Sequence, residues 1–169
     1  MPGVCGNYMT ILLQAVLCPP WWHFCYHLTM KAVFDTNVFV GACLGVGPAN
    51  HAIQACIEGR VTPVMGTALF REYEDVLGRV KIFEGSLLDI AERERLLDIF
   101  AARCVWSRIY FGWRPNLRDE GDNHLIELAV AGDCQTIVTR NKRDFFQMEL
   151  QFPDIRILDP AELLEVISA

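Results

Sequence analysis

The chain has 169 residues, of which 52% are hydrophobic, and its 21 acidic and 15 basic residues give a net charge of -6. This length supports one domain with a sizeable core, and the apolar content argues against disorder. The charge excludes a protein that binds nucleic acid through bulk positive charge, although a bound metal ion would reverse the sign of the potential locally.

The first thirty residues contain no Asp, Glu, Lys or Arg. Their apolar run, residues 11–18, is shorter than the roughly 20 residues that span a bilayer, and no basic start marks a secretory signal. We therefore predict that residues 1–29 form an extension outside the fold, that residues 30–169 form a single domain, and that translation begins at Met30. The short apolar run predicts no membrane association. Seven cysteines without a CxxC pair indicate free thiols and a cytoplasmic location.

From residue 31 onward, short apolar runs alternate with helical patterns, as in α/β proteins with a parallel sheet. Strands are predicted over residues 31–35, 61–65, 105–110, 136–139 and 155–158. Helices are predicted over residues 36–43, 49–58, 67–79, 86–104, 122–131 and 160–167. The expected fold is a three-layer α/β/α arrangement around a central, mostly parallel sheet.

Asp35 ends the first predicted strand. Ligands in open α/β sheets bind outside the carboxyl ends of the strands, so this position suits a functional carboxylate. The alternative is a helix N-cap, because Asp is a good capping residue and Thr36-Asn37 follow it.

Glu72 borders the apolar face of the third predicted helix. It lies three residues after Leu69 and four before Val76, whereas Glu74 and Asp75 point further away at about 100° per residue. Glu72 is therefore the candidate for an inward position. The alternative is a solvated acid whose aliphatic stem packs on the edge of the core.

Asp122 begins a helix and shares a face with Leu125, Ile126 and Ala129 at spacings of three, four and seven. Its carboxylate should therefore point inward, whereas Asp119 is expected just outside the helix. Asn123 is a polar neighbour of the same site.

Asp144 follows the strand predicted over residues 136–139 after a short turn. Thr139 and Asn141 would be polar neighbours at the end of that strand. The alternative is again local, with Asn141 as an N-cap and Asp144 in the first helical turn.

Together these four carboxylates would meet at one rim of the sheet. Like charges repel and buried carboxylates cost free energy, so such a cluster requires a cation. Oxygen ligands suit Mg²⁺ or Mn²⁺, whereas zinc prefers His or Cys. The sequence thus predicts divalent-metal chemistry.

These residues resemble the PIN-domain family of metal-dependent ribonucleases. The similar segments, in the family's order, are residues 33–38 (VFDTNV), 70–77 (FREYEDVL), 118–129 (RDEGDNHLIELA) and 137–145 (IVTRNKRDF). The resemblance spans residues 31–160 and is greatest to the toxin components of prokaryotic toxin–antitoxin pairs. It leaves residues 1–30 without a counterpart.

The resemblance implies that Asp35, Glu72, Asp122 and Asp144 form a catalytic metal site for RNA hydrolysis. Asp35, Asp122 and Asp144 would bind the ion, and Glu72 would either bind it through water or orient the attacking water. Asn37, Asn123, Thr139 and Asn141 would support them. The expected partners are an RNA substrate, a small antitoxin protein and a second copy of the chain in a homodimer.

Five basic residues flank the last two acids and could contact RNA phosphates: Arg114, Arg118, Arg140, Lys142 and Arg143. The alternative is ordinary surface charge.

Two other classes of protein compete with the ribonuclease interpretation. A phosphatase of the HAD type also carries Asp after its first strand, but it needs a second Asp where Asn37 stands, and a receiver domain fails for the same reason. The non-enzymatic alternative is a catalytically silent PIN-like module that binds RNA or protein. Four complete acids favour the enzyme.

Overall fold

Five parallel strands form the central sheet of the described part of the chain, which comprises residues 29–45, 47–112, 117, 120–145, 150 and 152–168 of a computed structural model. The strands are β1 (Met30–Phe34), β2 (Val61–Met65), β3 (Val105–Trp106), β4 (Thr136–Val138) and β5 (Arg156–Leu158). They lie in the order β3-β2-β1-β4-β5. The predicted extension, residues 1–29, lies outside the described residues except for Thr29.

Six α-helices accompany the sheet in these ranges: α1 (Thr36–Leu44), α2 (Pro48–Ile57), α3 (Thr67–Leu77), α4 (Ile90–Ala101), α5 (Asn123–Ala131) and α6 (Pro160–Ser168). Short 3₁₀ turns occupy Val80–Phe83, Glu120–Asp122 and Lys142–Phe145. Helix α5 contacts β1, β2 and β4, and α2 contacts β2 as well as α1, α4 and α6. The parallel sheet with its flanking helices confirms the predicted α/β fold class. In the described ranges no helix is both long and apolar enough to cross a membrane.

The central strands are apolar because helices cover the sheet. All three residues of β4 and the last three of β1 are buried, as expected for parallel strands enclosed on both faces. Pro63 interrupts β2, but it lies in the part of that strand that β3 does not cover, since β3 pairs only with Val64 and Met65. A proline is tolerated at such an edge because no ladder hydrogen bond is lost there.

Two predicted elements are shorter in the structure by four residues or more. The helix predicted over residues 86–104 begins at Ile90 because Asp89 and Glu92 form a capping box: Asp89 Oδ1 accepts from Glu92 N at 2.8 Å, and Glu92 Oε2 accepts from Asp89 N at 2.9 Å. The strand predicted over residues 105–110 contains only Val105 and Trp106, both exposed at the sheet edge. Its apolar character therefore reflects an exposed surface and not burial.

An aromatic cluster joins β1 to helices α1, α3 and α4. Phe39 packs edge-on against Tyr73 with ring centroids 5.0 Å apart, and Phe34 packs edge-on against Phe100 at 6.0 Å, a favourable geometry for aromatic pairs. The buried hydroxyl of Tyr73 donates to the backbone oxygen of Phe34 at 3.0 Å. This bond ties α3 to the last residue of β1.

The strand order reverses between β1 and β4. From β1 the chain builds β2 and β3 on one side, whereas β4 and β5 lie on the other. Ligands of open α/β sheets bind in the crevice at such a switch point. Phe34 is in register with Val138, so the next residues, Asp35 and Thr139, stand side by side at this crevice.

Candidate metal centre

Asp35 lies at the switch point and is only 7% exposed. Its Oδ1 accepts a hydrogen bond from the backbone N of Asn37 at 3.1 Å, which makes it the N-cap of α1. Its Oδ2 accepts from Asn37 Nδ2 and from the Thr139 hydroxyl, each at 2.6 Å. Asp35 can therefore cap the helix and also serve as a site carboxylate, because Oδ1 caps α1 while Oδ2 faces β4.

A chain of hydrogen bonds runs from Asp35 to Asp144. Thr139 Oγ1 donates to Asp35 and accepts from the backbone N of Asn141 at 3.0 Å. The Asn141 side chain in turn donates to Asp144 Oδ2. Asn37 joins the network through Oδ1, which accepts from the backbone N of Arg140 at 3.0 Å. We call these side chains the strand half of the site: Asp35, Asn37, Thr139, Asn141 and Asp144.

Glu72 projects from α3 toward α5. Its side chain is 39% exposed, whereas Glu74 and Asp75 on the same helix belong to the exposed residues, which matches the helical-wheel expectation. Its Oε2 lies 3.2 Å from Nε2 of His124, the second residue of α5. We call Glu72, Asp122 and His124 the helix half of the site.

Asp122 closes the 3₁₀ turn that precedes α5 and is half-buried. It occupies the N-cap position of the helix without a side-chain capping bond. Asn123 is 1% exposed, and its Oδ1 accepts from the backbone N of Leu117 at 2.8 Å. Asn123 thus binds the backbone of Leu117, and within the described residues its side chain makes no hydrogen bond to the four acids.

Burial raises the pKa of Asp35 above its ordinary value, although hydrogen bonds from Thr139 and Asn37 favour the charged form, and the nearby charge of Glu72 raises this pKa further. Burial also acts to raise the pKa of Glu72, but contact with His124 and Thr36 outweighs it and the net change is downward. For His124, burial acts to lower the pKa, whereas Glu72 and the carbonyl of Gly121 raise it, and the net change is upward. Among the described residues, the Glu72 carboxylate has His124 as a partner, whereas the Asp35 carboxylate has the neutral donors Asn37 and Thr139.

The donor set fits a hard divalent ion. In the described ranges, no three His, Cys, Asp or Glu side chains converge closely enough to enclose a metal ion by themselves. Mg²⁺ retains several water ligands and is commonly bound through one or two carboxylates, so a closed shell of protein ligands is not required. The desolvated carboxylate of Asp35 beside the charge of Glu72 is the local feature that a cation would neutralise.

The predicted basic residues differ in their surroundings. Arg114 and Arg118 lie outside the described residues. Arg140 and Arg143 are exposed. Lys142 is paired with Glu162, whose two carboxylate oxygens lie 2.6 and 2.7 Å from Nζ, so its charge is already balanced.

His124 was not among the predicted site residues. The sequence of α5 does carry a signal, because His124 stands at the start of an apolar stretch. In the structure every residue from Asn123 to Ala129 is buried. A histidine in so apolar a helix needs a polar partner, but the pattern alone does not identify Glu72, which is far away along the chain.

Comparisons with known proteins agree with this architecture. A family model described as the PIN domain matches residues 31–143, more than half of the chain. The fold is similar to a chain in the crystal structure of VapBC2 from Rickettsia felis bound to a DNA fragment from their promoter. The TM-score is 0.51 at 17% identity, and the match covers 77% of this chain and 98% of that one. No curated protein matches the chain significantly.

Proposed function

The chain belongs to the PIN-domain family, and from this membership we propose that it is a divalent-metal-dependent endoribonuclease. The observation that carries the proposal is the state of Asp35, which is buried at the switch point, has a raised pKa and lies beside a second carboxylate. Such a carboxylate is costly unless it serves a charged ligand.

We assign Asp35, Asp122 and Asp144 as ligands of Mg²⁺ or Mn²⁺ and Glu72 as the group that orients the attacking water. When bound, the ion would lower the pKa of a water and neutralise charge on the scissile phosphate.

The neighbouring side chains prepare the acids for this role. Asn37 and Thr139 direct Oδ2 of Asp35, and Asn141 orients Asp144 through its side-chain amide. Fixed orientation reduces the reorganisation needed when substrate arrives. The exposed Arg140 and Arg143 would contact RNA phosphates.

The biological setting that we propose is a toxin–antitoxin pair. Support comes from the fold shared with a chain of the VapBC2 complex. The partners would be a small antitoxin protein and a second copy of this chain, in the cytoplasm.

The proposal is tested by incubating the purified full-length chain with RNA in Mg²⁺, in Mn²⁺ and in excess chelator. We expect endonucleolytic cleavage that requires the ion. Asp144→Asn should reduce cleavage by on the order of 10³-fold while circular dichroism remains unchanged. Asp154→Asn, in the exposed turn before β5, is the matched control and should retain full activity.

Full activity of Asp144→Asn would overturn the assignment of this residue. The alternative, a catalytically silent module that binds RNA or protein, is separated by isothermal titration with Mn²⁺. Stoichiometric uptake of the ion supports the enzyme, whereas RNA binding without metal uptake or cleavage supports the silent module.

A further inference from the structure

The exposed aromatic side chains of the described residues all lie in one short segment. They are Trp106, Tyr110 and Phe111, which are 52%, 78% and 75% exposed. Trp106 ends β3, and the other two follow it within five residues. Large rings grouped at the surface in this way mark a binding site, because exposed apolar area is unfavourable in water.

The same part of the chain is basic. Residues 99–118 contain four arginines and no Asp or Glu, although the whole chain has a net charge of -6. Arg103 and Arg108 are exposed in the structure, whereas Arg114 and Arg118 lie outside the described residues. Positive charge beside exposed rings is complementary to a polyanion that carries flat aromatic groups, which is the chemistry of a nucleic acid.

The segment is anchored where it leaves β3. The backbone N of Ser107 donates to Met65 O at 2.9 Å, and the Ser107 hydroxyl donates to Ala131 O at 3.0 Å. The Trp106 ring packs edge-on against Phe70 of α3, with the ring centroids 5.3 Å apart. One face of this ring system is therefore fixed by the protein while half of Trp106 remains open to solvent.

Exposure alternates along the segment. Ser107 and Ile109 are half-buried, and Ile109 packs against the core. Trp106, Arg108 and Tyr110 stand between and beside them and are exposed, so the period of two of a strand continues past β3. An arginine thus lies between two rings on the solvent-facing side. We call these four exposed side chains the aromatic strip: Trp106, Arg108, Tyr110 and Phe111.

The aromatic strip begins at the edge of the sheet where the acids of the proposed site lie. Because β3 and β1 both run parallel to β2, Trp106 and Asp35 stand at the carboxyl ends of their strands on the same edge. Phe70, which contacts Trp106, is two residues from Glu72 on α3. A strand bound on the aromatic strip would therefore lie on the same edge as these carboxylates.

We propose that the aromatic strip binds single-stranded RNA, with bases stacked on Trp106 and Tyr110 and with Arg108 at the phosphates. The inference rests on the proposed ribonuclease function and gives its substrate a class, unpaired RNA. Stacking on aromatic side chains tolerates any sequence because every base has a π-face, and arginine adds charge and cation–π contact. The bases of a duplex are stacked on one another and are not available to the strip.

The experiment measures the affinity of the full-length chain for single-stranded oligouridine by fluorescence anisotropy, in excess chelator so that the RNA is not cut. Tyr110→Ala should weaken binding at least about 5-fold, and Tyr110→Phe should rescue it because the ring is kept. Leu87→Ala, at a residue that is 64% exposed before α4, is the matched control and should retain the affinity. Duplex RNA should bind equally to the wild type and to Tyr110→Ala.

Arg108→Ala tests the electrostatic part of the inference. Loss of one phosphate contact should reduce the slope of log affinity against log salt concentration by about 0.7. Arg95→Ala, at an exposed residue of α4 close to Glu94 and Asp98 along the chain, is the matched control and should retain the slope.

The outcomes separate this inference from the proposed function. Unchanged affinity of Tyr110→Ala, equal weakening with duplex RNA, or no binding of oligouridine by the wild type overturns the role of the aromatic strip. A change from dimer to monomer in sedimentation, with RNA affinity unchanged, also overturns it and assigns the strip to contact between two copies of the chain. Metal-dependent cleavage in any of these cases leaves the ribonuclease proposal intact. Binding that depends on Tyr110, without metal-dependent cleavage, supports the strip and overturns the proposed enzyme. Since Tyr110 and Arg108 are exposed, neither truncation removes a core contact, and unchanged circular dichroism checks that both variants fold.

Discussion

The two halves of the candidate site are built on different principles. In the strand half, side chains at the ends of β1 and β4 hydrogen-bond one another, so that both oxygens of Asp35 have donors. In the helix half, Glu72 comes from α3 and meets His124 from α5. The strand half is therefore organised by register within one sheet, whereas the helix half depends on how two helices pack.

This difference has a consequence for catalysis. Neighbouring strands fix their end residues within a fraction of a residue spacing, so the strand half can be oriented before an ion arrives. In the helix half, Glu72 contacts His124 from a neighbouring helix, and the Glu72 side chain remains 39% exposed. We expect substitutions in the helix half to act mainly on activity, and substitutions in the strand half to affect stability as well.

Glu72→Gln should produce the largest effect that separates the halves. The amide keeps the shape of the side chain but removes the charge that faces His124 and Asp35, so we expect RNA cleavage to fall about 10²-fold. Thermal stability should change little because the side chain is partly exposed. Glu74→Gln, on the solvent-facing side of α3, is the matched control. Equal activity of the two variants would remove Glu72 from the site.

Thr139→Val should lower both stability and activity. The valine cannot donate to Asp35 or accept from Asn141 N, and the lost bonds should cost about 1–3 kcal/mol of unfolding free energy in urea. Cleavage should fall about 10-fold, as when a partner that supports a ligand is lost.

Thr136→Val provides the control for this change within the same stretch of chain. Both threonines are 0% exposed, but within the described residues the Thr136 hydroxyl donates only to the Met30 sulfur, at 3.7 Å. We expect it to change stability by less than about 1 kcal/mol and to leave cleavage unchanged. If both variants lost equal stability, the hydrogen-bond network would not be what stabilises the strand half.

Tyr73→Phe tests the connection between the halves. The hydroxyl of Tyr73 is on α3, one residue from Glu72, and it donates to Phe34 O at the end of β1. Its loss should cost about 1 kcal/mol of unfolding free energy, measured as a lower urea midpoint with an unchanged slope. Cleavage should be retained, because the aromatic packing with Phe39 and Phe100 persists. A large loss of cleavage would show that the halves are not independent.

The strand half could be predicted from the sequence, and the helix half only in part. Asp35 and Thr139 follow buried apolar strands, and the ends of parallel strands meet at one edge, so their proximity follows from pattern alone. The helical wheel selected Glu72 over Glu74, because the periodicity of one helix is local information. The pairing of Glu72 with His124 is not local, since it requires the packing of α3 near α5.

The surface charges also show that contacts between residues far apart along the chain cannot be predicted from the local sequence. The sequence placed Lys142 and Arg143 together as candidates for contact with RNA, yet Lys142 is bound by Glu162 from α6. Neighbours along the chain carry no signal for such a pair, which forms because the turn after β4 lies beside the start of the last helix. The strand β3 was predicted too long for a related reason: its length depends on its pairing with β2, which covers only Val105 and Trp106, and not on its own apolar pattern.

Glu162→Gln should have the smallest effect on stability. It tests whether the strand half extends beyond Asp144 to the ion pair between Lys142 and Glu162. The hydrogen bond from Lys142 and the one from Asp159 N lower the pKa of Glu162. A lowered pKa means that the charged form stabilises the fold, so this contribution is present above the unfolded-state pKa and is lost as the pH falls through the folded-state pKa. Since the pair is at the surface, the variant should lose less than about 1 kcal/mol at neutral pH.

The measurement is the difference in unfolding free energy between wild type and variant as a function of pH and salt. We expect the difference to vanish in acid and to shrink at high ionic strength, because salt screens exposed pairs. Glu165→Gln, at an exposed residue of α6, is the matched control. If cleavage is retained in Glu162→Gln, the pair only braces the Lys142–Phe145 turn from outside, and the strand half ends at Asp144. A loss of cleavage comparable to that of Thr139→Val would instead extend the strand half to α6, because the turn that presents Asp144 would then need this ion pair to hold its position.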